Sequence, residues 1–506
     1  MGAFASLNKF NNNMARITKV NVKGVDYEFA HEGVLKKSGF EVVNSLPTTN
    51  LFEGRIIIYN NSIYFYTNGN WKEISKGTYD NDEELYSYGI EKDLRISLSS
   101  CTRVGNLALH RTLPVQSGMR GCLLADDGNI VEYLPKNDWT TATRDGSRGQ
   151  VMVHIPAHYR KFYTKDEGNI IGVRISLNNI EGFHYVPDMF VSAYEASIER
   201  STDKLCSVVN YGVDYRGGTN LSSWDNTYRS FLGRPVTNIS RTTFRSAARK
   251  RNTANTSWNC YLYQVHKALF WLYAIEYSEL NSQAAYNSEL TSEGFHQGGL
   301  GAGVSNWLAS EWYNFNGYQA FVPCGHTDSL GNNTGVVAFT AYNEDGSELK
   351  TSYVPRYRGV ENPFGHIIKI ADGINVRISP TEANGGDNIS KVFVCDDLSN
   401  LNDTNYNGYK HVGNEVRSRG FITKIIFGED GEIIPSRIGG SSTQFFCDHH
   451  DTTIPKTEQL YAVMVGGHAI DGERCGLSYI SSNVLPSSKI SSVGSRLCFV
   501  PQIKSK

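Results

Sequence analysis

The most constraining feature of the 506-residue chain is its C-terminal tract, residues 461–500, YAVMVGGHAIDGERCGLSYISSNVLPSSKISSVGSRLCFV. Two apolar ends, AVMVGG and VGSRLCFV, read as strands. Between them lies a polar stretch with no helical period and little apolar content. Its Gly, Ser, Asn, Asp, Glu, Arg, His and Tyr suit a displayed surface better than a core. The tract predicts two strands that enclose a displayed polar insert.

A chain of 506 residues exceeds one ordinary core, so two to four domains are expected. Net charge is −2, which gives no electrostatic reason to expect nucleic acid or an anionic membrane as partner. The 29 Tyr and 48 Gly against 14 Pro suggest short strands joined by turns and adaptable contact surfaces. The nine Cys show no C-x-x-C, so a zinc ribbon has no support. An odd count favours reduced, mostly buried thiols, with a pair such as Cys475 and Cys498 left open. The N-terminus lacks the apolar core of roughly 7–15 residues that a secretory signal needs. No apolar run reaches the about 18 residues of a membrane span. The expectation is synthesis in a cytoplasm and no membrane insertion, with action outside a cell as part of a released particle left open.

Along the chain, residues 1 to 20 read as a polar arm, with Ile17–Phe29 alternating as a strand does. Residues 44–74 read as a hairpin: GRIIIY, an Asn60-Asn61 turn, SIYFYT, a turn at Asn68-Gly69, then WKEI. So small a β piece is marginal alone, which makes trimerisation a natural inference. DLRISLSS, GNLALH and GCLLADDGNIVEYL read as strands, with Asp127-Gly128 a hairpin turn. Asp126, Asp127 and Asn129 lack the calcium-loop frame, so a turn is the better reading. GQVMVHIPAHYRKFY carries a strand into a Pro-bounded corner. Residues 240–252 start a helix at Ser240 or Thr242, and their basic residues read as a solvated face. Residues 258–285 hold one long helix, with Leu262, Val265, Leu269, Leu272 and Ile275 near a 3.6 period. Its breadth of apolar surface predicts packing on two sides, with His266 a satisfied or exposed side chain. The glycines of residues 293–307 follow a helix and lack G-K-[ST], so they serve tight turns and not a phosphate. ISKVFVCDD is a further strand, and GFITKIIFGEDGEIIP a hairpin turning at residues 429–431. The run Cys447-Asp448-His449-His450-Asp451 is the best metal candidate, but neighbouring side chains point apart and rarely reach one ion.

Three segments carry a family resemblance. YVPDMFVSAYEASIE at 185–199 places Phe190, Ala193, Tyr194, Glu195 and Ala196 in the pattern aromatic, small, Tyr-Glu, small. YRGVENPFGHIIKIADGINVRI at 357–378 carries Arg358, Glu361 and Asn362 before a strand. The closing tract spaces GG, CGLSY and VGSRL. Together these resemble the C-type-lectin-like fold, in the branch shared by formylglycine-generating enzymes and the variable tropism proteins of phage. The N-terminal pieces resemble small β modules of phage fibre proteins.

The resemblance implies a mainly β chain with an α+β C-terminal domain. Residues 1–80 would be an N-terminal attachment and oligomerisation module, 81–149 an intermediate β region, and 150–506 a C-type-lectin-like receptor-binding domain. Glu195, Arg358, Glu361, Asn362, Gly466, Gly467, Gly494 and Arg496 take structural roles, with an Arg–Glu pairing expected beside the Gly turn. The exposed face would be formed by His449, His450, His468, Asp471, Glu473, Arg474, Tyr479 and Asn483. The closely spaced reactive cysteine pair of the enzymes is missing, since Cys447, Cys475 and Cys498 lie far apart. No G-x-S-x-G or paired-carboxylate arrangement stands out either. The expected function is a non-enzymatic phage tail-fibre or tail-tip adhesin, homotrimeric, binding a bacterial surface glycan or outer-membrane protein. Other tail or baseplate proteins would be its partners in the virion. A virion decoration protein, an oxidase and a glycan depolymerase are the alternatives. No cofactor is called for; a calcium ion stiffening the loops is left open, without a framed site. The loop departs from many tropism proteins, since His468, Ala469 and Ile470 follow the GG where those carry Trp and repeated Asn.

Overall fold

The structure is a computed structural model that describes residues 5–10, 14–22, 25–28, 41–42, 46–49, 51, 56–59, 62–67, 69–73, 82–381 and 387–501. Its contacts divide the chain into two units, residues 1–85 and 86–506. In the first, Ala5–Phe10, Met14–Val22 and Val25–Glu28 form an antiparallel sheet, so much of the expected polar arm is strand. Glu41–Val42, Ile56–Tyr59, Ser62–Thr67 and Asn70–Glu73 form a second sheet. Tyr59 faces Ser62 and Thr67 faces Asn70, as the hairpin pattern requires. Asn60, Asn61 and Asn68 lie outside the described residues.

The second unit is mainly β, as expected. Its key elements are β1 (Met189–Ser192), α1 (Arg241–Arg249), β2 (Trp258–Cys260), α2 (Tyr263–Tyr277), α3 (Ala309–Asn316), β3 (Gly335–Tyr342), β4 (Glu348–Tyr357), β5 (Ile368–Ile378), β6 (Gln459–Val465), β7 (Ile480–Val484) and β8 (Leu497–Phe499). A six-stranded sheet runs Ile130–Tyr133, Arg120–Leu124, Gln150–Ile155, β1, β8, β2. The last strand therefore sits between two much earlier ones, with Cys498 opposite both Val191 and Asn259. A larger mixed sheet centres on β5, β6 and β7, in that order.

No seam falls at residues 149/150. Tyr88–Asp93 pairs with Ile170–Ser176, and Arg120–Leu124 with Gln150–Ile155, so the expected intermediate region is woven into the sheets that follow it. The Asp127-Gly128 hairpin forms as read. GNLALH is helix, not strand. The Asn106 side chain accepts from the Ala108 N–H, and this cap starts a turn over Leu107–Thr112.

Helix α2 is buried at every residue except Gln264, which fits a helix packed on two sides. His266 is sealed inside it, with Nδ1 3.0 Å from the Tyr261 hydroxyl. Helix α1 begins at Ser240, whose hydroxyl accepts from the Thr243 N–H. Its basic face is not solvated. Arg241 and Arg245 are buried on Asp372 and Asp403: Arg245 Nε lies 2.5 Å from Asp372 and its Nη2 2.9 Å from Asp403. Two acidic residues far along the chain convert an apparently exposed charge run into an interior clamp. All nine cysteines are free; eight are buried and Cys101 is half-buried.

Candidate functional site

The three segments that carry the resemblance converge on one sealed polar network. Glu195, just after β1, meets His366 and Lys369 from the start of β5. Lys369 Nζ is 2.8 Å from Glu195 Oε1 and donates to the Gly365 carbonyl at 3.0 Å. His366 Nε2 accepts from the N–H groups of Phe321 and Val322 at 3.0 and 3.1 Å. Its Nδ1 must then carry the proton, which it donates to Glu195. Burial opposes the Glu195 charge, but Lys369 and His366 overrule it and hold its pKa at about 2. Burial lowers Lys369 to about 8. Both nitrogens of His366 are occupied, so the histidine fixes backbone and has no lone pair left to act as a base.

Arg496 closes the network. It donates to the carbonyls of Ser192 at 3.1 Å, Asn362 at 2.6 Å and Glu361. Glu361 accepts from the Gly325 and Thr327 N–H groups at 3.1 and 2.7 Å. Arg358 does not pair with Glu361, as the sequence suggested. It pairs with Glu276 of α2, Nη2 to Oε1 at 2.6 Å, because α2 supplies a buried carboxylate on that side. Asn362 sits at φ 47°, and its carbonyl is one of the three that Arg496 holds. Gly466 and Gly467 both have positive φ, and a Cβ on Gly467 would lie 2.6 Å from Cys475 Sγ. A Cβ on Gly494 would meet Ile367 at 2.4 Å.

The closing insert is largely not displayed, which corrects the opening expectation. Residues 475–482 are buried, and β7 fills the sheet between β6 and His449–Thr452. Their small polar side chains serve buried acids: the Ser478 N–H and hydroxyl both donate to Asp448 at 2.7 Å, and the Ser482 hydroxyl donates to Glu415 at 2.7 Å. His450 is sealed, with its ring nitrogens 3.2 and 3.1 Å from the Ile480 and Val416 carbonyls. Tyr479 is buried and donates to Asp451 at 2.9 Å. His449 packs edge-on against Phe421. Asn483 is half-buried beside them in β7. Of the eight residues expected on the face, only Glu473 and Arg474 are exposed.

His468, Asp471, Glu473 and Arg474 do share one short loop. His468 Nδ1 is 2.9 Å from Asp471, and its ring meets Trp312 of α3 edge-on. Ala469 and Ile470 enter an aromatic-rich core with Val304, Trp307, Trp312, Phe315, Phe321 and Val354. This loop is the rim of a face that the sequence reading missed. Helix α3 and the β3–β4 hairpin stand on that core. They are joined by Trp307 Nε1 donating to Ser352 Oγ at 3.0 Å and by Lys350 to Glu311 at 3.3 Å. Four large side chains are exposed on them: Leu308 (61%), Tyr313 (60%), Tyr353 (57%) and Tyr342 (50%). The legible signal was GVVAFTAYNEDGSELKTSYVPRY, two β-like runs about an Asp345-Gly346 turn.

A cavity of about 220 Å³ opens on this face. It is lined by Thr227–Ser230, Arg234, Phe315, Asn316, Phe321 and Phe339–Tyr342. His366 places its Phe321 wall through the two N–H contacts already described. Arg229 lies over the Trp224 ring, 4.4 Å from its centroid. Arg234 donates to the Leu232 carbonyl at 3.2 Å, and burial lowers its pKa from the ordinary guanidinium value. A larger cleft of about 580 Å³ is lined by Arg160, Tyr185, Lys267, Asp396, Asp397 and Asp430 among others. There Lys267 pairs with Glu432 at 2.8 Å, and Asp396, Asp397 and Asp430 line the same cleft as Arg160.

No protein-family model matches the chain, and no curated protein matches it. Among solved structures, the Major Tropism Determinant P3c Variant aligns over 91% of this chain and 98% of its own, at 10% identity and a TM-score of 0.20. A score at that level establishes no shared fold.

Proposed function

We propose that the chain is a phage tail-fibre or tail-tip adhesin that binds a bacterial surface receptor, a glycan or an outer-membrane protein. The binding face is the one built by α3, the β3–β4 hairpin and the loop 468–474, and not the closing insert as a whole. The observation that carries this reading is the exposure of Leu308 and Tyr313 at α3 and of Tyr342 and Tyr353 on the β3–β4 hairpin, two neighbouring elements built over one closed aromatic core. Large apolar side chains so presented mark contact surfaces, and tyrosine supplies rigid amphipathic area with little entropy to lose. The residue patterns shared with phage tropism proteins supply the biological setting, with the N-terminal modules docking to the particle as a homotrimer.

The test is host-cell adsorption of the purified protein carrying Tyr313→Ala, Tyr342→Ala and Tyr353→Ala together. Binding should fall by at least about tenfold, with the thermal unfolding midpoint unmoved. Undiminished adsorption by the triple variant sinks the proposal.

A further inference from the structure

We infer that the cavity beside β3 is a subsite for a sugar bearing a carboxylate, a uronic or similar acid on the receptor glycan. The inference rests on the adhesin reading and names its ligand chemistry.

Two guanidinium groups line the cavity, Arg229 and Arg234, and no Asp or Glu is among the lining residues. Among the described residues neither arginine has a carboxylate within ion-pair distance, whereas Arg144, Arg216, Arg241, Arg245, Arg356 and Arg358 in the same unit each do. The Nε atoms of Arg229 and Arg234 are both buried without a hydrogen-bond partner, so neither guanidinium is fully satisfied by the protein, while Asn316 Oδ1 on the same wall is an unpaired acceptor suited to a sugar hydroxyl and not to the carboxylate. Buried donors without acceptors are costly, and a guanidinium fork matches the two oxygens of a carboxylate. The remaining walls are Phe315, Phe321, Phe339, Tyr228 and Tyr342, flat surfaces against which a sugar ring packs. Thr227, Ser230 and Thr340 add hydroxyls. The volume falls below the roughly 300–1,000 Å³ of a drug-sized site and suits one ring. Strand β3 is the edge of its sheet, so the cavity stays open along that side.

The experiment titrates the full chain with sodium glucuronate, with glucose and with sodium sulfate, followed by ligand-observed NMR. Glucuronate should bind and glucose should not bind at matched concentration. Arg229→Gln should weaken glucuronate by at least about tenfold with an unchanged unfolding midpoint. Arg234 is more deeply packed, so Phe339→Ala serves as the second variant, and it too should weaken glucuronate. Glucose binding as well as glucuronate, sulfate binding in its place, or Arg229→Gln binding like the native chain would each overturn the acidic-sugar assignment. Cell adsorption lost in the tyrosine triple variant while glucuronate fails to bind would overturn this subsite and leave the adhesin reading standing.

Discussion

At the scale of single residues, the interior is held by charged side chains that found partners far away in sequence. Asp403 shows the logic. Burial pushes its carboxyl up, but Arg241 and Arg245 overrule it and its pKa falls to about 2. As the pH drops below the ordinary aspartate value of about 3.8, the unfolded chain takes up a proton that the folded carboxylate refuses. The unfolded state then binds more protons, so this contribution is intact above pH 4 and is lost toward pH 2. It is worth about 2 kcal/mol. Urea titrations at pH 6 and pH 2.5 should show a smaller pH loss for Asp403→Asn than for the native chain. Equal losses would mean that the clamp does not set the acid limit. Residue identity also explains what the sequence concealed. Ser478, Ser482, Arg241 and Arg245 have surface chemistry, yet each serves an acid that lies tens of residues away. Composition reports polarity; it does not report whether a polar group has an interior partner.

At the scale of elements, local signals did well wherever they were self-contained. The long helix, the 120–133 hairpin and the 420–438 hairpin follow from periodicity and turn residues alone. Where one local signal opposed another, the pattern misled: the leucines of GNLALH alternate, but the Asn106 cap decided for a helix. The network residues Glu195, Glu361 and Arg496 were legible through family resemblance, whereas Arg229, Arg234 and the wall of phenylalanines were not. They come from three separate stretches, and only the folded chain brings them to one cavity. The start of α1 offers a direct check on the local argument. Ser240→Ala removes the acceptor for the Thr243 N–H and should lower stability by about 1 kcal/mol in urea unfolding. A change near zero would show that packing of the arginine clamp alone fixes that helix start.

At the scale of the molecule, the division at Leu85/Tyr86 places every residue of the proposed face and of the buried network in one unit. A fragment of residues 86–506 should therefore fold alone, with a thermal midpoint matching the main transition of the full chain. A clearly lower midpoint would show that the first 85 residues are needed to complete the core. The placement of β8 between β1 and β2 has a consequence for how the protein is made. While the ribosome is still translating, β1 and β2 each offer a bare hydrogen-bonding edge, and the nascent chain has nothing of its own to cover them. The layer is completed only after residues 497–499 have left the exit tunnel, so an unfinished chain carries two open strand edges of the kind that pair with other chains.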